Sequence, residues 1–133
     1  MIKKIILILI TFILTVSLCF SEENDSSKQY KNTNAPFSFH GRLQIYNGNP
    51  CFRIFIIGTN RILGVPGGDL EPADMPKELD NLFTETSIII YGDFSVTPLT
   101  EYKEGEMQLV RIDTVKNLII YNGDKFIKKQ DKL

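Results

Sequence analysis

The sequence predicts a mainly β domain: a small five-stranded Greek-key barrel with one short helix between the third and fourth strands and a C-terminal hairpin. Three observations carry this expectation. Several short runs alternate apolar and polar residues with period two, the pattern of half-buried strands. Asn-Gly pairs stand at 47–48 and 122–123, each between two such runs. A Gly/Pro-rich break over residues 64–76 separates the third run from a short stretch with helical spacing.

The chain of 133 residues opens with Lys3 and Lys4, followed by an uncharged apolar run over residues 5–20 and then Ser21, Glu22, Glu23, Asn24 and Asp25. A basic start, an apolar middle and small residues before a polar switch make a secretory signal peptide. Cys19 and Ser21 fit the minus-three and minus-one positions of a cut after Ser21. An uncleaved anchor is the weaker alternative, since sixteen residues fall short of the ~20 that span a bilayer. Lipidation at Cys19 is the other alternative, although Leu18 stands where a lipobox has a small residue. The expectation is therefore an exported protein, periplasmic or extracellular, with no membrane span after cleavage of residues 1–21.

Residues 22–36 hold Ser, Asn, Lys, Glu and Asp with few large apolar side chains, which predicts a flexible tether. The folded domain is expected over residues 37–128 and a polar tail over 129–133. In the first strand Phe37, Phe39, Gly41, Leu43 and Ile45 alternate with Ser38, His40, Arg42, Gln44 and Tyr46. Asn47-Gly48 then suits a two-residue type I′ turn, because both residues tolerate positive φ. That turn would set Tyr46 opposite Asn49, Ile45 opposite Pro50 and Arg42 opposite Arg53. One face would carry Phe39, Gly41, Leu43, Ile45, Phe52, Ile54 and Ile56. The other would carry His40, Arg42, Gln44, Cys51, Arg53 and Phe55.

Residues 61–65 read as a third strand. Pro76 and the spacing of Leu79, Leu82 and Phe83 predict a short helix. Ile88, Ile90, Gly92, Phe94 and Val96 mark a fourth strand closed by Pro98, and residues 107–115 a fifth. Residues 118–121 and 125–127 flank the second Asn-Gly pair as a terminal hairpin. Three strands, a helix and two strands is the order of the oligonucleotide/oligosaccharide-binding (OB) barrel, so the expectation is OB-like.

The phrases His40-Gly41-Arg42-Leu43, Tyr46-Asn47-Gly48, Arg53-Ile54, Gly58-Thr59-Asn60-Arg61-Ile62-Leu63-Gly64 and Gly92-Asp93-Phe94 resemble a group of uncharacterised small secreted bacterial proteins. The resemblance covers roughly residues 39 to 112 and implies no particular activity.

The chemistry legible in the residues is sparse. Loss of Lys3 and Lys4 with the signal leaves thirteen basic residues against sixteen acidic ones, a formal net charge of −3. That balance speaks against nucleic acid as a partner, because such binding draws on clustered Lys and Arg. Cys51 alone survives cleavage, so no internal disulfide can form, and a buried, inert thiol is expected. His40 is the single histidine, and any Ser-His or Cys-His dyad would have to use it. Neither a nucleophile elbow nor a His or Cys pair for a metal occurs, and the glycine-rich 64–69 segment lacks the Gly-Lys-Ser/Thr ending of a phosphate loop. Glu101, Glu104 and Glu106 read as solvated surface. No cofactor is expected.

Arg42 and Arg53 offer the sharpest signal. Opposed like charges destabilise a sheet unless an anion intervenes. Asp93 or Asp113 could neutralise them within the fold. Alternatively His40, Arg42 and Arg53, with Arg61, Tyr46 and Phe55 at the margins, form a basic and partly aromatic ligand site. The leading expectation is a non-catalytic binding or interaction module of the cell envelope. Its partner would be an acidic small molecule, glycan or protein. An envelope hydrolase using His40 and a purely structural envelope protein are the rival expectations.

Overall fold

The computed structural model describes residues 35–133. The expected signal segment and residues 22–34 of the expected tether lie outside the described residues, as does Cys19. Among the described residues no helix is long and apolar enough to cross a membrane.

Six strands form one sheet: β1 (Phe37–Ile45), β2 (Phe52–Ile56), β3 (Ile62–Val65), β4 (Ile88–Pro98), β5 (Gln108–Asn122) and β6 (Lys125–Lys132). The described protein is mainly β, with one short helix, α1 (Lys77–Asp80), between β3 and β4. The strand order is β3-β2-β1-β4-β5-β6, and β3 also pairs with β5. That extra pairing is parallel, setting Leu63 opposite Gln108 and Gly64 opposite Leu109. The other pairings are antiparallel.

The period-two pattern puts one side of each strand into a single core. Leu43, Ile54, Leu63, Val65, Ile90, Phe94, Val96, Val110 and Leu118 are completely buried. Each such side chain contributes roughly 1.5–3 kcal/mol through removal from water. The helix is a single turn after Pro76, whose missing N–H costs nothing at that position. It buries Leu79 completely, while Leu82 and Phe83 beyond it pack on the core at half-burial. Phe83 meets Phe52 edge to face at 5.1 Å, which ties the helical segment to β2.

Gly41 and Gly92 face each other across β1 and β4. A Cβ on Gly92 would lie 2.8 Å from a Val115 methyl, and one on Gly41 would lie 2.8 Å from the Phe39 ring. Backbone and neighbouring side chains therefore crowd together where β5 carries one extra residue opposite Gly92, between the Tyr91–Ile119 and Asp93–Lys116 pairs.

The first hairpin departs from the expected register. Ile45 pairs with Phe52, Leu43 with Ile54 and Arg42 with Phe55, while Arg53 faces Gln44. Tyr46 N–H donates to the Cys51 carbonyl at 2.8 Å, so residues 47–50 form a longer loop, with a cis Asn49-Pro50 peptide and Gly48 at φ +108°. The difference is two residues, an even number, so every side chain keeps its expected face and exchanges its partner. Arg42 and Arg53 are consequently not opposed. Residues 107–115 and 118–121 also do not form separate strands. Asn117, at φ +51°, carries β5 through the join as one strand of 15 residues. The last turn is Gly123-Asp124, closed by Asn122 opposite Lys125. β6 runs to Lys132, so residues 129–132, expected as polar tail, are strand paired to β5.

Candidate functional site

Antiparallel register aligns the outward side chains of neighbouring strands into rows. One row runs Phe55, Arg42, Tyr91, Ile119 and Lys129 across β2, β1, β4, β5 and β6. The next runs Arg53, Gln44, Ile89, Tyr121 and Phe126. An outward face of a solvated sheet is ordinarily polar. Here β4 and β5 contribute Ile89, Tyr91, Ile119 and Tyr121, all half-buried.

These four side chains floor an open groove of about 540 Å³, and His40, Arg42, Gly123 and Asp124 complete its wall. Tyr91 meets Tyr121 edge to face at 5.9 Å, and Tyr121 meets Phe126 in the same way at 5.9 Å. The aromatic series thus steps across three strands. Phe126 at its end is 55% exposed, which leaves a large apolar ring in water.

Arg42 sits 5.4 Å from the centre of the Phe55 ring, within cation–π range. Burial works against its charge, but the neighbouring Tyr91 and Tyr46 side chains favour it more, and the guanidinium is held above its ordinary value, while its buried Nε has no hydrogen-bond partner. The cation thus stands at the groove wall against the Phe55 ring. Tyr46 also donates to the Gln44 side chain at 3.4 Å.

His40 Nδ1 donates to Asp93 at 2.9 Å, with both side chains about half-exposed. The other Asp93 oxygen accepts from the Asn117 amide at 2.8 Å. The Asn117 bond first, and the His40 bond second, hold the Asp93 carboxyl below its usual range. Asp93 is thus committed to His40 and Asn117, while Asp113 accepts from Thr97 at 2.6 Å and from Arg111 at 2.9 Å. The expected neutralisation of an arginine pair by these carboxylates gives way to those two separate networks.

The other nominated residues lie elsewhere. Arg53 donates to the carbonyls of Pro50 at 3.0 Å and Asn47 at 3.3 Å, with its guanidinium 5.4 Å from the Tyr46 ring centre. It braces the β1–β2 loop from within. Arg61 packs between Phe37 at 5.4 Å and Tyr102 at 4.9 Å and donates to the Gln108 side chain. Burial pushes Arg61 below its ordinary value, with Tyr102 opposing the shift. So His40 and Arg42 meet at the groove, Tyr46 touches it through Arg42, and Arg53 and Arg61 serve other contacts.

Cys51 is half-buried, packs against the core and donates weakly to the Gly67 carbonyl at 3.7 Å. A second cleft, about 630 Å³, opens between Asn49 and Pro50 of the β1–β2 loop and Thr100, Glu101, Lys103 and Glu106 of the β4–β5 loop. Among the described residues no group of three or more His, Cys, Asp or Glu is arranged to hold a metal ion.

Tyr91, Tyr121 and Asp124 entered no sequence-based site. The usable signal was the tyrosines' outward position in strands whose opposite face was already apolar. The chain matches no protein-family model, no curated protein and no solved structure.

Proposed function

We propose that this protein is an exported, non-catalytic binding module with an OB-like barrel, which takes an acidic ligand on the outward face of β1, β4 and β5. The barrel reading rests on the ring of pairings β1–β2, β2–β3, β3–β5, β5–β4 and β4–β1, with the helix between β3 and β4. Such a ring removes the open edges of those five strands and leaves β6 as an outer addition. The binding reading rests on one observation above all: Arg42, set against the Phe55 ring and with its buried Nε unpartnered, stands at the wall of an aromatic-floored groove that is open to solvent. A fixed, charged guanidinium beside apolar surface is suited to an anionic group carried on an organic frame.

The test is a titration of the protein with dextran sulfate, and with uncharged dextran for comparison, followed by amide NMR. Shifts at Arg42, Tyr91 and Tyr121 with the anion, weakened in Arg42→Gln, are expected. Equal behaviour of the two polymers would overturn the reading.

The hydrolase reading is favoured by one observation, the His40–Asp93 pair, in which the carboxylate orients an imidazole whose Nε2 takes no part in that bond. The nearest hydroxyls along the same two strands, Ser38 and Ser95, bond each other at 2.6 Å. A single-turnover hydrolysis lost in His40→Ala would favour this reading over the binding module.

A further inference from the structure

We infer that the ligand of the β1–β4–β5 groove is an acidic oligosaccharide, with a sugar ring on Tyr91 and Tyr121, its carboxylate on Arg42, and the chain continuing over Phe126 and Lys129 of β6. This deepens the binding reading above and rests on it.

Ring surface is the first argument. Tyr91, Tyr121 and Phe126 form a stepped series on three adjacent strands, with successive centroids 5.9 Å apart. A pyranose presents one face of C–H groups, which packs on aromatic rings, and hydroxyls at its rim. A stepped series offers successive sugar units successive surfaces. The polar groups match that rim. Arg42 supplies a cation and Asp124 an acceptor carboxylate at the same groove. An acceptor there suits a ligand rich in hydroxyl donors and disfavours one that offers anionic oxygens without hydroxyl donors, such as polyphosphate.

The lysines are an independent argument. Lys116 and Lys132 lie directly opposite each other on β5 and β6, and Lys129 lies opposite Ile119 of the groove floor. All three lysines are exposed. Directly opposed like charges cost stability unless an anion lies between them. Asp93 faces Lys116 from β4 and, as an ionised carboxylate, offsets part of that repulsion. Asp131 adjoins Lys132 along β6 as the remaining acid of that strand. A spaced series of carboxylates on a flexible sugar chain would meet Arg42 at one end and Lys129, in the same outward row, at the other.

The experiment titrates the full exported chain with tri- and hexagalacturonate, with maltotriose as the neutral sugar, and with inorganic polyphosphate and poly-glutamate as anions without sugar. Calorimetry gives affinity and amide NMR gives location. The expected result is binding of galacturonate at Arg42, Tyr91 and Tyr121, tighter for the hexamer, and at least ten-fold weaker for maltotriose. Phe126→Ala, at an exposed ring, should weaken the hexamer more than the trimer. Tyr121→Ala should weaken both at least ten-fold, and Tyr121→Phe should restore binding. Thermal melts confirm that each variant folds. Polyphosphate or poly-glutamate binding at the groove as tightly as galacturonate, with Tyr121→Ala without effect, would overturn the saccharide assignment and leave the anion-binding reading standing. No shift at the groove with any charged probe would overturn both.

Discussion

The imidazole of His40 and the carboxylate of Asp93 meet at 2.9 Å across β1 and β4, at directly opposed positions of the ladder. Asn117, two strands from His40 and at φ +51°, holds the other carboxylate oxygen. Asp93 thereby ties together β1, β4 and the irregular centre of β5.

A pH dependence follows from this arrangement. The folded state holds the Asp93 carboxyl below its usual value, chiefly through Asn117 and then His40. The stabilisation is present above the unfolded carboxylate value of about 3.9 and is lost as pH falls through the lower folded value. Because both side chains are half-exposed, the effect is small, at most ~1 kcal/mol. Urea melts from about pH 5 down to about pH 2 should show a steeper loss in the parent than in Asp93→Asn. Parallel loss in the two proteins would contradict the network.

Arg53 contributes to the loop rather than to a charge cluster. Arg53→Ala removes the donors to the Pro50 and Asn47 carbonyls and should cost about 1–2 kcal/mol in a urea melt. Arg53→Lys should recover only part, since an ammonium lacks the planar fork that reaches both carbonyls. Arg42 and Arg53 face Phe55 and Gln44 instead of each other, so any stabilisation of the parent by salt should persist in Arg53→Ala. Salt stabilisation that disappears in Arg53→Ala would restore the opposed-arginine arrangement.

Gly48 lies at φ +108°, and a Cβ there would approach the Arg53 guanidinium to 3.1 Å. Gly48→Val should therefore lower the melting temperature, by a free energy of roughly 1–2 kcal/mol for backbone strain alone. An unchanged melting temperature would mean that the loop takes another path.

Phe94 is fully buried and stacks on Phe39 with ring centres 6.0 Å apart. Phe94→Ala should cost about 3–5 kcal/mol in chemical unfolding. Phe126→Ala, at an exposed ring, should cost far less. Equal losses would place Phe126 in a packed interface.

Alternation alone determined which side of each strand enters the core. Phe39, Leu43, Phe52, Ile54, Ile56, Ile88, Ile90, Phe94 and Val96 are buried as their period-two spacing predicts, because a side chain's face depends only on its own strand's pleat. That property survived a register error of two residues in the first hairpin. Cross-strand partners did not survive it, since they depend on loop length. The four-residue connection over residues 47–50, held by the Arg53 brace, sets Arg42 opposite Phe55 and not Arg53. The continuity of β5 was likewise hidden, because Asn117 breaks the alternation and only pairing with β4 and β6 keeps the strand whole. Tertiary structure also decided the parallel β3–β5 pairing and the meeting of Tyr91 with Tyr121 beside Arg42. Those contacts join residues far apart in sequence, and no local pattern specifies which distant strand will supply the partner.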